Sequence, residues 1–204
     1  MAVVVDPKKY PRLASYLEHL PQGLESHPAC ETRGSVPRAM LEERPVGELP
    51  PGDLPAPLHA LLLAPPLRTA WIPEAHGSAL THLIADVHRL QEPDYLQFVE
   101  KVTLRINGSM FTMLMSIISP QMLLSAASSR WSTTHRGSTL TAERSGSNGT
   151  RLVLGFPDAL FSELGLKLWA NVFRVTLEHS RAKGAEVVVA EASRTRGVYE
   201  CSWQ

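Results

Sequence analysis

The sequence predicts an α+β protein: a helical cluster packed on a small antiparallel sheet of two hairpins joined by a long helix. Three observations carry this. Up to Trp131 the apolar residues recur at helical spacing, and beyond Gly137 the period drops to two in short runs rich in Thr, Val and Leu. Between the two strand-like pairs lies the best amphipathic helix of the chain. Helices, hairpin, helix, hairpin is the order of an α+β arrangement with one helix crossing a face of the sheet.

In chain order, PKKYPRLASYLEHL places Leu13, Tyr16, Leu17 and Leu20 at helical spacing, and Ser35 is a capping residue for a short helix over VPRAMLEE. Eight of the 16 prolines fall between Pro45 and Pro73, so this interval supports one short helix, about Pro57 to Leu63, within a wrapping connection. HGSALTHLIADVHRL lines up Leu80, Leu83, Ile84, Val87 and Leu90, with Pro93 as its stop. Asp94 then caps YLQFVEKVTLRI, which breaks at Asn107-Gly108 before the almost wholly apolar SMFTMLMSII. Ser119-Pro120 combines a serine cap with proline at the first helical position and opens QMLLSAASSRW.

GSTLTAER and TRLVLGF, separated by SGSNG, read as the first hairpin. DALFSELGLKLWANVFRVTLEHSRAKG is the long helix: Phe161, Leu164, Leu168, Val172 and Val175 form its stripe, Trp169, Phe173 and Leu177 widen it, and Gly184 suits its end. AEVVVAEA and GVYECSW read as the last two strands, with Tyr199, Cys201 and Trp203 on one face and Val198, Glu200 and Ser202 on the other. The organisation expected is residues 1–69 as N-terminal helices with the proline-rich segment, and 70–204 as the α+β body.

Composition narrows the function. Twenty basic residues balance 20 acidic ones, so no net field favours nucleic acid or anionic lipid, and the balance favours self-association. No window approaches the roughly 18 apolar residues of a membrane span. Cys30 and Cys201 stand far apart, which excludes a disulfide framework and fits a reducing cytoplasm. No nucleophile elbow, phosphate loop, dinucleotide turn or zinc-protease helix is present.

The residues with chemistry are few. His76, His82 and His88 recur every six positions, a spacing that points successive helical side chains apart, whereas His82 and Asp86 share a face as a surface hydrogen-bonded pair would. Glu74 and His76 are an acid and a base in a loop docked by Trp71. Trp131 is large enough to anchor the end of its helix, its indole N–H seeking a carbonyl; His135 and Arg136 follow in the linker to the first strand, as a structural corner or as pocket-mouth residues. Met110, Met113, Met115 and Met122 are core filler or the wall of an adaptable apolar cavity.

Over residues 70–204, Arg130-Trp131 at a helix end, His135 and Gly137 in a polar linker, Phe156-Pro157 closing a hairpin, Trp169 in a long helix, Ala182-Lys183-Gly184-Ala185 as a turn and Trp203 near the end resemble a myxobacterial family of unknown function. That family is similar in layout to the group of haem/nitric-oxide-binding domains, the 4-vinyl reductase domain and TRAPP subunits. The resemblance implies a small α+β domain that holds an apolar ligand between helices and sheet, or that dimerises and scaffolds. The nitric-oxide sensors in that group hold haem on an axial histidine; no residue of this chain carries over to that position, and no catalytic motif of the reductase does.

The reading is a non-enzymatic cytoplasmic binding module that takes a small apolar ligand or a protein partner, self-associates as a homodimer, and binds no nucleic acid. Trp131, His135, Arg136, Met113, Met122 and Trp169 are its pocket candidates, and no cofactor is identified. Two alternatives stand beside it: an enzyme whose acid/base site gathers Glu74, His76 and His135, and a purely structural scaffold.

Overall fold

Proline and glycine set most of the boundaries in the computed structural model, which describes residues 5–50, 52–115 and 117–204, and for 109–115 the backbone alone. Helix α1, Pro11–His19, starts on its proline, and α2, Ser35–Glu43, starts after Gly34. Ser35 is therefore the first helical residue and makes no cap. Helix α3, Ala56–Leu63, is the short helix expected in the proline-rich segment. Helix α4, Glu74–Val87, begins directly after Pro73 and ends well before Pro93. Proline 93 instead lies in the first turn of α5, Glu92–Met115, where a missing N–H costs nothing, so Asp94 is a first-turn acid and not its cap. At Gly108 the backbone leaves the helical region (φ 69°, ψ 165°), a conformation only glycine adopts readily, and α5 kinks there. Helix α6, Pro120–Arg130, has the predicted serine cap, the Ser119 hydroxyl accepting from the Met122 N–H. Helix α7, Glu163–Glu178, is shorter than its apolar stripe suggests because Ser162 caps it, accepting from the Gly165 N–H.

Two antiparallel sheets complete the α+β fold. Strands β4 (Thr139–Arg144) and β5 (Gly149–Gly155) form the first hairpin, and β6 (Glu186–Ala192) and β7 (Arg196–Ser202) the second. The hairpins join through β5 and β7 into one sheet of order β4-β5-β7-β6, and α7 packs on it. On β7 the separation of faces is incomplete: Tyr199 and Cys201 are buried as expected, Val198 is buried too, and Trp203 is only half-buried.

The second sheet was not legible from pattern. Strands β1 (Glu31–Arg33), β2 (Trp71–Pro73) and β3 (His135–Arg136) are two or three residues long and pair in the order β2-β1-β3, with Thr32 opposite both Ile72 and His135. The Trp71 segment is thus a strand running into α4. Gly137 closes this corner at φ 71°, and a Cβ there would meet Cys30 Sγ at 2.5 Å and the Ala29 carbonyl oxygen at 2.7 Å. Only glycine allows the approach. The core runs continuously from Leu13, Tyr16 and Met40 through Leu80, Leu83 and Phe98 to Leu152, Leu154 and Tyr199. Among the described residues no helix is long and apolar enough to cross a membrane.

Candidate functional site

The small sheet sets two buried polar side chains face to face. Glu74 is the first residue of α4, where the helix dipole favours a carboxylate, and its N–H donates to the Cys30 carbonyl just before β1 at 2.8 Å. His135 lies across β1, and its Nδ1–H donates to Glu74 Oε2 at 2.8 Å. Both residues are almost wholly enclosed, at 6% and 5% exposure. A carboxylate accepts only, so this bond places a proton on Nδ1 and leaves Nε2 as the second functional atom of the ring.

Aromatic rings hold the imidazole. Trp131 stacks on His135 with centroids 4.1 Å apart and planes 17° from parallel, while Trp169 from α7 meets it edge-on at 5.1 Å. Trp131 anchors the end of α6 as expected, but its indole N–H donates to the Ser138 hydroxyl at 3.0 Å and not to a carbonyl. From Trp169 the aromatic contacts continue to Phe173 and then Tyr199 on β7.

This pair opens on a cavity of about 200 Å³ between α4, α5 and α7, whose walls are mainly apolar: Phe98, Val99 and Val102 from α5, Leu168, Trp169 and Val172 from α7, and Met40 from α2. Glu74 is the one charged residue among the described residues that line it. At the far end His82 donates to or accepts from the Ser162 hydroxyl at 3.0 Å and stacks obliquely on Tyr16. Burial, with a smaller contribution from the Arg12 charge, pushes the His82 imidazole down to about pKa 4, so it is neutral at neutral pH. Burial likewise pushes the Tyr95 phenol well above its ordinary value. Among the described residues five buried polar atoms lack a hydrogen-bond partner, and three of them, Thr32 Oγ1, His82 Nδ1 and Tyr95 OH, belong to residues that border this cavity. Such atoms are rare in native interiors, and their grouping marks the region as a site.

His82, Tyr95, Phe161 and Ser162 also border an open groove of about 1050 Å³ on the other side, so they form a partition one side chain thick. The groove is larger, but its charges are matched internally: Arg194 binds Asp158 in a two-pronged pair and Lys167 binds Glu92. The smaller cavity, with its buried acid and imidazole, is the better candidate.

The residues singled out from sequence separate clearly. His135 and Trp169 line the cavity, and Trp131 backs His135. Arg136, next to His135 on a strand, points to the opposite face; it is exposed, pairs with Glu31 at 2.8 Å and stacks on Trp71. Met122 is 62% exposed in the first turn of α6. The Met113 side chain lies outside the described residues, as do those of Met110 and Met115. Of the proposed acid/base trio only Glu74 and His135 meet. His76 is two residues along α4 from Glu74, about 200° around the helix, and faces Leu24 and Glu25. His82 and Asp86 share a face of α4, but the face is buried and they do not bond each other; Asp86 accepts from the Arg12 and Leu13 N–H groups, each at 3.0 Å.

No protein-family model matches the chain, and no curated protein does. Among solved structures it is similar to two crystal structures of the Fe(II) unliganded H-NOX protein from K. algicida, one of them a point mutant. Each aligns with 84% of this chain and 96% of its own at a TM-score of 0.53 and 12% identity. The chain therefore has an H-NOX-like α+β fold, and at that identity the likeness is one of fold.

The resemblance group includes haem proteins, which raises the question whether this cavity fits haem. Haem brings two carboxylates and a rigid macrocycle and needs an axial ligand. About 200 Å³ is below the roughly 300–1,000 Å³ typical of pockets for drug-sized molecules. No Lys or Arg is among the described lining residues to meet propionates, and the buried Glu74 would repel them. The residues that line this cavity do not fit haem.

Proposed function

We propose that this protein is a non-enzymatic binding module that takes a small, mainly apolar molecule into the cavity between α4, α5 and α7, as the resemblance to the myxobacterial family implies. The observation that carries the reading is the buried Glu74–His135 pair placed at a mainly apolar hollow. Burying an acid and an imidazole is unfavourable unless they serve each other or a ligand, and unpaired polar atoms gathered around one void point to the ligand. The reading includes a cytoplasmic setting, which the two free buried cysteines suit. It also includes a homodimer, supported by the exposed Ile117 and Met122 flanking the turn into α6.

Native mass spectrometry and an absorption spectrum of freshly purified protein test the binding. A bound small mass that is lost in Val102→Trp, a substitution that fills the cavity from α5, is the expected result. Retention of that mass by a folded Val102→Trp variant would move the site elsewhere.

The enzymatic alternative draws on the same pair, since a carboxylate-oriented imidazole is a competent general base. With His76 facing away, the three-residue site first considered is not assembled, and the binding reading accounts for more of the cavity.

A further inference from the structure

The chemistry of the cavity floor narrows the ligand further, on the assumption that the binding reading above holds. Glu74 Oε1 and His135 Nε2 have no hydrogen bond among the described residues, yet neither is among the polar atoms shut off from space without a partner. Both therefore keep contact with open space, and the hollow that both residues border is the cavity. Because Nδ1 carries the proton that binds Glu74, a neutral imidazole offers the lone pair at Nε2. Oε1 of a carboxylate is likewise an acceptor. The cavity thus meets two hydrogen-bond acceptors, one on each residue of the pair. The His135 ring cannot turn to exchange the nitrogens, because Trp131 lies on one face at 4.1 Å and Trp169 stands against it at 5.1 Å.

The rest of the cavity offers a complementary constraint. Phe98, Val99, Val102, Leu168 and Val172 suit a compact hydrocarbon skeleton, and about 200 Å³ limits its size to about one ring. An anionic ligand would meet Glu74 with no described cation to balance it. We propose that the cavity binds a small neutral alcohol, its hydrocarbon body against α5 and α7 and its hydroxyl donating to His135 Nε2, with Glu74 as the positioning residue that fixes the tautomer.

Four probes of nearly equal shape test this by calorimetry at pH 8: cyclohexanol, cyclohexanone, methylcyclohexane and cyclohexylamine. Cyclohexanol should bind roughly tenfold more tightly than cyclohexanone, which accepts but cannot donate, and than methylcyclohexane, which does neither. In His135→Phe, which keeps a ring between the two tryptophans, this advantage should vanish while methylcyclohexane binding persists. A two-bond proton–nitrogen spectrum of the wild-type protein should show Nε2 as the bare nitrogen of His135, shifting when cyclohexanol is added. Ketone binding equal to or tighter than alcohol binding would overturn the alcohol assignment and leave the cavity reading intact. Tighter cyclohexylamine binding would overturn the neutral head group, assigning the site to an ammonium on Glu74. Failure of all four probes to bind would sink the cavity reading itself. The wild-type comparison stands whether or not the variant folds.

Discussion

Replacing His82 by glutamine should make the protein less sensitive to acid. His82 is 5% exposed, stacked on Tyr16 and bonded to Ser162, with Nδ1 unpaired. In the unfolded chain the imidazole takes up a proton near its ordinary pKa of 6.5, in the folded chain only near 4. Between those values the unfolded state holds more protons, so stability contributed by the neutral imidazole is fully present above pH 6.5 and is lost as pH falls toward 4. The two values correspond to a loss of about 2 kcal/mol from pH 7 to pH 5 and roughly 3 kcal/mol by pH 4. Other groups contribute as well: burial lowers His76, which acts in the same sense, and raises Asp86, which acts in the opposite one. Both are present in wild type and variant, so the difference between the two isolates His82. Urea unfolding followed by circular dichroism at pH 7 and pH 5, on wild type and His82→Gln, gives that difference, and glutamine still offers Ser162 a hydrogen bond. Equal losses of stability in both proteins would show that His82 titrates normally in the folded state, which would mean that the partition between groove and cavity admits water.

Two other outcomes bear on the architecture. Trp131→Ala should destabilise the fold by roughly 3–5 kcal/mol, because Trp131 is a buried anchor in contact with His135 and Trp169; an unchanged urea midpoint would refute that role. Deleting residues 1–45 removes β1, the central strand of the small sheet, together with the buried Leu13, Tyr16 and Met40, so the shortened chain should lose cooperative melting and aggregate. A sharp thermal transition in a monomeric truncated protein would show that the remainder folds alone.

The larger elements were legible because they repeat a pattern. Four stripe positions within α7, Leu164, Leu168, Val172 and Val175, and the alternation along β5 each state one period over many residues, and the structure forms both elements, although the deepest face of α7 runs through Leu166, Phe173 and Leu177 and β7 buries Val198, Tyr199 and Cys201 alike. The cavity was only half legible. His135 and Trp169 stood out as residue types, and Glu74 as an acid a few residues after a Trp, but their meeting depends on a sheet built from runs of two or three residues that lie far apart in the chain. Such strands carry no periodicity of their own. The α5 wall, Phe98, Val99 and Val102, lies in an ordinary apolar helical segment, and nothing in its spacing separates a helix facing a void from one facing a full core. Ser162 could have been found: a serine followed by Glu163 before an apolar run is an N-cap signal, and placing the start of α7 there would have aimed its hydroxyl toward α4.

An H-NOX-like fold does not by itself settle what this chain binds, because fold and ligand are set by different residues. The topology depends on glycines and caps such as Gly108, Gly137 and Ser119, none of which lines the volume between α4, α5 and α7. That volume is decided by a handful of bulky side chains, and here Trp169 and Phe161 line one side of it, backed by the contiguous rings of Trp131 and Phe173. Its one buried acid–imidazole pair is Glu74 and His135, with no described cation opposite them. A site with acceptors at the floor, mainly hydrocarbon walls and little room selects by what a ligand can donate and how compactly it packs, and those two properties, measured separately on probes of one shape, decide what the cavity admits.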